Sequence, residues 1–477
     1  MPILGWFAAS AFAEQAGNFV PRDTTLLDRA QSFVGIFVFV ALCWVVSENR
    51  RRIDWRPVVW GVGLQIALGM VILSPTVSQF FYTVVDGGVN QLLAFSAKGA
   101  TFVFGSIEAH DVVVGLPGEL AAGGGEHKVI IGAVSPAVKT FAFWILPTIV
   151  FFSALMSLLY HIGLMPLIVR VLAQVMVRTL GTSGAESLSA AANIFVGQTE
   201  APLLVRPFIA DMTRSELMAV MVGGFATVSG GVMGAYVAFL QGIPNIAGHL
   251  VIASMMSAPA ALACAKIIVP ETETSKTAGD ASFTFERNAT NFVEAAAIGA
   301  ADGVKLAINV GGMLIAFVAL VAMADFAVSF VPLTRCSDGW SVGYTCAAAA
   351  AAQPLSMADV FGVLFSPLAL AMGVPFADAM EVGRLLGEKM VLTEFVAYIT
   401  LGEMSHGPEP LITARSAIIA SYGLCGFANF ASIGIQLGGI GGMAPSRMSD
   451  LASLGFKAMW AGMVASCMTG AVAGLFL

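Results

Sequence analysis

Charge is scarce in this chain. Of 477 residues only 11% are Asp, Glu, Lys or Arg, against about 25% in an ordinary soluble domain, which excludes a water-soluble globular protein. Lys and Arg total 23 against 30 Asp and Glu, for a net charge of -7. No basic surface is therefore available to hold a phosphate backbone, and polymeric nucleic acid is not an expected partner. Cysteine is sparse too: Cys43, Cys264, Cys336, Cys346, Cys425 and Cys467 show no two-residue spacing and no neighbouring His, so no structural metal set and no cofactor are expected. Only Cys336 and Cys346 share a segment, 334–353, where a disulfide can form if the segment faces an oxidising compartment, two free thiols being the alternative. Residues 1–13 end in Ala-Phe-Ala before Glu14, which mimics a signal-peptidase site, but they lack the basic start of a signal peptide.

What the chain has is apolar length: 57% apolar residues and a mean hydropathy of +0.85. A helix crosses a bilayer with about 20 apolar residues, and the uncharged stretches 30–47, 57–85, 140–168, 416–442 and 458–477 read as crossings. Residues 217–265 carry no Asp, Glu, Lys or Arg, are too long for one crossing, and are interrupted at Gln241-Gly242-Ile243-Pro244-Asn245, giving two more; residues 305–331 make an eighth. The stretches 164–180 and 282–302 mix charge into apolar sequence and suit helices lying in the interface, or ordinary cytoplasmic helices. Lys and Arg collect at Arg50-Arg51-Arg52, Arg56, Arg170, Arg178, Arg206, Arg214, Lys266, Lys276, Arg287, Lys305, Arg447 and Lys457, and putting these inside leaves both termini extracytoplasmic.

Two mostly apolar segments, 187–209 and 377–402, each hold a Glu in mid-segment: Glu200 and Glu394. A carboxylate at membrane depth is costly and reads as functional, facing protein or a water-filled cavity. Gly197, Pro202 and Pro207 argue against an unbroken helix in the first segment, and a re-entrant hairpin with its tip at 197–200 satisfies both features. The halves echo each other: Thr199-Glu200 precedes Gly224-Phe225-Ala226, and Thr393-Glu394 precedes Gly426-Phe427-Ala428. With an odd number of crossings between the hairpins the repeats are inverted, and inverted repeats with broken helices place a solute site near the midplane of secondary transporters.

These residues resemble the concentrative nucleoside transporters. Gly197-Gln198-Thr199-Glu200-Ala201-Pro202-Leu203 looks like that family's first-hairpin motif, and 387–398, Gly-Glu-Lys-Met-Val-Leu-Thr-Glu-Phe-Val-Ala-Tyr, like its second. Residues 425–435, Cys-Gly-Phe-Ala-Asn-Phe-Ala-Ser-Ile-Gly-Ile, are similar to its seventh-span motif, and the resemblance runs from about Pro57 to Leu477. One departure is Thr393, where many members have Asn.

The resemblance implies an all-α polytopic membrane protein of about eight transmembrane helices plus two re-entrant helical hairpins, and a homotrimer in the plasma (inner) membrane that imports nucleosides with a coupling cation. In domain terms the chain divides at 1–29, an extracytoplasmic segment; 30–182, scaffold; 183–265, the first transport repeat; 266–376, linker, interfacial helix, sixth span and extracytoplasmic loop; 377–450, the second repeat; and 451–477, the last span. Glu394, Asn429 and Ser432 would meet the ribose, since a carboxylate accepts from two adjacent hydroxyls. Gln198, Thr199 and Glu200 would serve the base edge, Phe427 its face, and Val232 would pack against it. Asn193 and Thr227 side chains with the carbonyls of Val196 and Val228 resemble the family's sodium site; a proton is the alternative coupling ion.

Two other features suggest little. His406 and Glu409 have no nearby His to complete a metal set, and the glycine run 438–442 lacks the Lys of a phosphate loop. A passive nucleoside channel and an intramembrane hydrolase or transferase using Glu200 and Glu394 are the rival classes. No activated Ser, Cys or metal cluster accompanies those two carboxylates.

Overall fold

The computed structural model describes residues 24–73, 75–104, 141–278, 289–331, 353–405 and 410–477, with short strands at 111–113, 130–133, 333–336 and 339–342. Polar caps ahead of apolar runs set where the helices begin. Thr25 and Asp28 close a reciprocal capping box at the start of α1 (Leu26–Val46), which satisfies two otherwise orphaned backbone donors. Asp54 caps α2 (Trp55–Ile72), and Pro75, whose missing N–H is harmless at a helix start, opens α3 (Pro75–Phe104). Then come α4 (Leu146–His161) and α5 (Leu164–Leu180). Gly181, at φ +75°, ends α5 in the left-handed conformation that glycine adopts without strain.

Ser183 and Glu186 form the box that opens α6 (Gly184–Asn193). The chain turns at 194–200, runs through a 3-10 segment (Ala201–Val205) and α7 (Arg206–Ile209), and enters α8 (Arg214–Ala226) behind a Thr213–Glu216 box. After a break come α9 (Gly230–Phe239), α10 (Ile246–Ile268) and α11 (Phe292–Val328). The second half repeats the plan: α12 (Met357–Ala371), then a hairpin of α13 (Ala379–Val391) and α14 (Glu394–Ser405), a helix broken into α15 (Ala414–Leu424) and α16 (Phe430–Met443), and α17 (Met448–Phe476).

The hairpins enter from opposite ends. At one end Glu48, between α1 and α2, pairs with Arg214 at the start of α8 and with Lys457 of α17. Arg56 donates to the carbonyls closing α5, and buried Lys266 pairs with Glu186 at 2.8 Å at the base of the first hairpin. At the other end Gln31 of α1 donates to the carbonyls of Leu370 and Val374 beside the second hairpin, and Arg415 donates to Gly474 near the end of α17. Asp378, at the base of that hairpin, accepts from Thr413 and Ser416 of α15. The two repeats are thus inverted, and the basic residues of 50–56, 178, 214, 266 and 457 share one end.

Seven helices among the described residues are long and apolar enough to cross a membrane. Of their apolar stretches, Arg214–Phe239, Ile246–Ile268 and Pro445–Phe476 are 83%, 89% and 83% buried, against 17% for Ala142–His161 and 12% for Phe292–Val328. The first three form the interior. The last two present apolar surface outward, as lipid or a neighbouring subunit requires.

Four expectations change. The stretch 57–85 is two helices, because Pro75 starts a new one. The interfacial helix assigned to 282–302 and the span assigned to 305–331 are one 37-residue helix, α11, from Phe292 onward; Glu294 only caps its first turn. The crossing 416–442 is broken into α15 and α16, each too short to span alone. Met357–Ala371, not recognised as helical in the sequence, is a short apolar helix capped by Ser356 and Asp359. Residues 1–13, Cys346, His406 and Glu409 lie outside the described residues.

Candidate functional site

Both broken helices stop for a few residues and restart behind a polar cap. Thr227 leaves α8 in extended conformation, and Ser229 accepts from the N–H of Gly231 to start α9. In the second repeat Gly426, at φ +109°, makes the turn after α15, a conformation nearly closed to other residues. Asn429 Oδ1 then accepts from the N–H of Ser432 at 2.8 Å to start α16. The hairpin tips come to these breaks, and between them lies a cleft lined from both repeats and partly open to the outside.

All eight residues expected to meet substrate line this one cleft: Gln198, Thr199 and Glu200 from the first tip, Val232 from α9, Glu394 from α14, and Phe427, Asn429 and Ser432 from the second break. Glu394 is buried, with its Oε1 accepting from the Tyr236 hydroxyl at 2.9 Å and its Oε2 from the Asn429 amide at 3.0 Å. A carboxylate has about four acceptor sites, so Tyr236 and Asn429 do not exhaust it. Gln198 donates through Nε2 to Ser432 Oγ at 2.9 Å, while its Oε1 accepts from Gln436 Nε2 at 3.1 Å. The first hairpin is thereby bonded directly to α16. Glu200, expected to face protein or a water-filled cavity, is exposed at the cleft, whereas Glu394, the first residue of α14, is buried.

Several residues behind or along the cleft gave no sequence signal. Tyr236 is fully buried and stacks on Tyr398 with ring centroids 4.5 Å apart, which aims its hydroxyl at Glu394. Gln436 is also fully buried. Leu306, Val310, Met313 and Leu314 of α11 form an apolar wall. Helical periodicity alone marks such residues as ordinary packing or lipid-facing positions.

Of the expected cation ligands, Asn193 and Thr227 both lie against Gly223 of α8, where the first hairpin meets the first break. Asn193 is buried and donates through Nδ2 to the carbonyl of Ser189 at 3.0 Å, while its Oδ1 has no hydrogen-bond partner. A buried acceptor without a donor is costly and suits a cation. Thr227 Oγ1 donates to the carbonyl of Gly223 at 2.9 Å, so its lone pairs remain for a metal ion. Val228 is buried beside it, and the Ser254 hydroxyl and the Gly230 N–H tie down the carbonyls of Ile194 and Phe195 in the tip. The donor set is all oxygen, as a hard cation requires.

Inverted repeats, helices broken at mid-length and a shared cleft between hairpin tips define a multi-pass secondary transporter. Family models agree along the chain: "Na+ dependent nucleoside transporter" N-terminus at 34–107 and C-terminus at 249–474, with "nucleoside recognition" at 142–242. The chain belongs to the concentrative nucleoside transporter family, whose members are transporters and not enzymes. It is 40% identical over 450 residues to an uncharacterized transporter of Haemophilus influenzae, covering 94% of this chain and 97% of that one. It is 38% identical over 467 residues to sodium/nucleoside cotransporter 1 of Mus musculus, covering 94% of this chain and 65% of the longer relative. A structure of CNTnw in an inward-facing substrate-bound state superposes with a TM-score of 0.77 at 38% identity, covering 94% of this chain and 97% of that one.

Proposed function

We propose that this protein imports nucleosides by symport with sodium. The observation that carries the reading is Glu394: a buried carboxylate that lines the cleft between the hairpin tips and is oriented by Tyr236 and Asn429. A vicinal diol supplies two further donors at the right separation, so Glu394, Asn429 and Ser432 form the ribose clamp. Gln198 and Thr199 read the base edge, Glu200 faces it from the open tip, Phe427 stacks on the base, and Val232 packs against it.

Sodium binds Asn193, Thr227 and the carbonyls of Val196 and Val228; the unpartnered Asn193 Oδ1 supports this. Because those ligands flank the tip that carries Gln198, ion and nucleoside each bind more tightly in the presence of the other, a reciprocal coupling. The hairpins are re-entrant, and an inner region containing them moves against an outer scaffold. The exposed apolar faces of α3 and α11 serve lipid and a homotrimer interface. The end that gathers Arg50, Arg56, Arg214 and Lys457 faces the cytoplasm, which leaves both termini extracytoplasmic in the plasma membrane.

Proteoliposome uptake of labelled uridine and adenosine, under separately imposed sodium and proton gradients, tests this. Accumulation against a gradient that follows sodium and collapses with a sodium ionophore is expected. Accumulation driven by protons alone replaces the coupling ion, and equilibration without accumulation makes the protein a facilitator.

A further inference from the structure

The caps that restart the broken helices put the two repeats in register. Thr213 caps α8 and Ser229 caps α9; Thr413 caps α15 and Asn429 caps α16, at the same interval. In that register Gly223 corresponds to Gly423, each within a few residues of its helix break. The first arms of the two hairpins, α6 and α13, each bring one polar side chain to these glycines. In the first repeat the Asn193 side chain packs against Gly223, where a Cβ would lie 3.1 Å from Nδ2, and its Oδ1 is left without a donor. In the second, Lys389 of α13, fully buried, donates through Nζ to the carbonyls of Gly423 at 2.9 Å and Cys425 at 3.1 Å, and to Ser466 Oγ at 2.8 Å.

A buried ammonium inside a membrane protein is costly and needs several acceptors or a partner charge. Here the carbonyls at the negative end of α15 and a hydroxyl provide them. We propose that Lys389 is a tethered cation occupying, in the second repeat, the position that in the first repeat is left for the exchangeable coupling ion. One half of the site is permanently loaded by a side chain and the other is loaded by the gradient, so one ion is coupled to each nucleoside. The inference rests on the cation site read above at Asn193.

Three acceptors of the ammonium, two carbonyls and a hydroxyl, are themselves hard oxygen ligands. Removing the side-chain charge while leaving them in place therefore turns the pocket into a second sodium site. Current and labelled nucleoside flux are measured together on proteoliposomes at fixed voltage. Wild type is expected to move one charge per nucleoside with first-order sodium dependence. K389N is expected to lose uptake at low sodium, recover it at high sodium with second-order dependence, and move two charges per nucleoside. K389R keeps the cation and the ratio of one. A wild-type ratio of two overturns the proposal, a test that needs no variant to fold. So does folded K389N with wild-type sodium order, or with no uptake at any sodium concentration. If protons drive wild type in place of sodium, the ion assignment fails while the one-charge ratio still decides the role of Lys389.

Discussion

Tyr236 of the first repeat donates its hydroxyl proton to Glu394 of the second at 2.9 Å. The phenol is held by its stack on Tyr398 and an edge contact with Phe395, so the direction of the carboxylate is set by aromatic packing from both halves. Asn429 fixes the other oxygen. Both carboxylate oxygens are thus oriented by the protein's own donors.

Tyr236→Phe removes the donor and leaves the ring. A hydrogen bond to a charged group contributes about 1.5–3 kcal/mol, so the half-saturating concentration for ribonucleosides should rise about tenfold or more. Glu394→Gln should weaken uptake further, because it abolishes the acceptor pair itself. Both losses should shrink for 2′,3′-dideoxynucleosides, which lack the diol. Equal losses for both solute classes in competition uptake assays would remove the ribose clamp.

Asn193→Ala deletes the unpartnered Oδ1 and should raise the sodium concentration for half-maximal uptake roughly tenfold, equivalent to about 1.4 kcal/mol. Thr227→Ala should act in the same direction, and nucleoside affinity at saturating sodium should change much less. Sodium titration of initial uptake rates checks this; an unchanged midpoint in both variants places the ion elsewhere.

Much of the site was legible because buried carboxylates and helix-breaking residues stand out in an apolar chain. Glu394, Gln198 and Asn429 could be named without coordinates, partly through family resemblance. The repeat was legible only in outline. The matching Gly-Phe-Ala triplets occupy different places: Phe225 is buried in the last turn of α8, whereas Phe427 sits in the second break and faces the cleft. The caps put the repeats two residues out of step with the triplets, since three small or apolar residues recur easily in a glycine-rich chain while N-caps mark real helix starts. Tyr236 and Gln436 gave no signal because their partners are remote in sequence, and only packing brings them together; Lys389 stood in the second-hairpin motif, but its acceptors did not. The long α11 was misread because charges in its first turns look interfacial.

Stability at the basic end should depend on acidity through Glu48. The Arg214 guanidinium, and then Lys457, hold its carboxyl below the ordinary 4.5. A depressed folded value means the stabilisation is fully present above the unfolded value and is lost as pH falls through the folded one. Partly exposed pairs contribute at most about 1 kcal/mol, so melting of detergent-solubilised protein should fall by a few degrees in that acid range. Glu48→Gln should lower the melting temperature at neutral pH and remove this contribution to the acid dependence. An acid response identical to wild type would show that the pairs add nothing.

Gln436 fixes the orientation of the Gln198 amide at the cleft. Its Nε2 donates both to Gln198 Oε1 and to the carbonyl of Met221, each at 3.1 Å, and this anchored donor directs the Gln198 NH2 toward Ser432. Gln436→Leu keeps most of the volume but frees the Gln198 amide to turn over, exchanging donor for acceptor at the base edge. Discrimination between uridine and adenosine should then move by about fivefold, the equivalent of one hydrogen bond near 1 kcal/mol. Discrimination between ribose and deoxyribose solutes should stay fixed, because Glu394, Tyr236 and Asn429 are untouched. If base and sugar discrimination change together, Gln436 is supporting the packing of α16 as a whole and not the orientation of one amide.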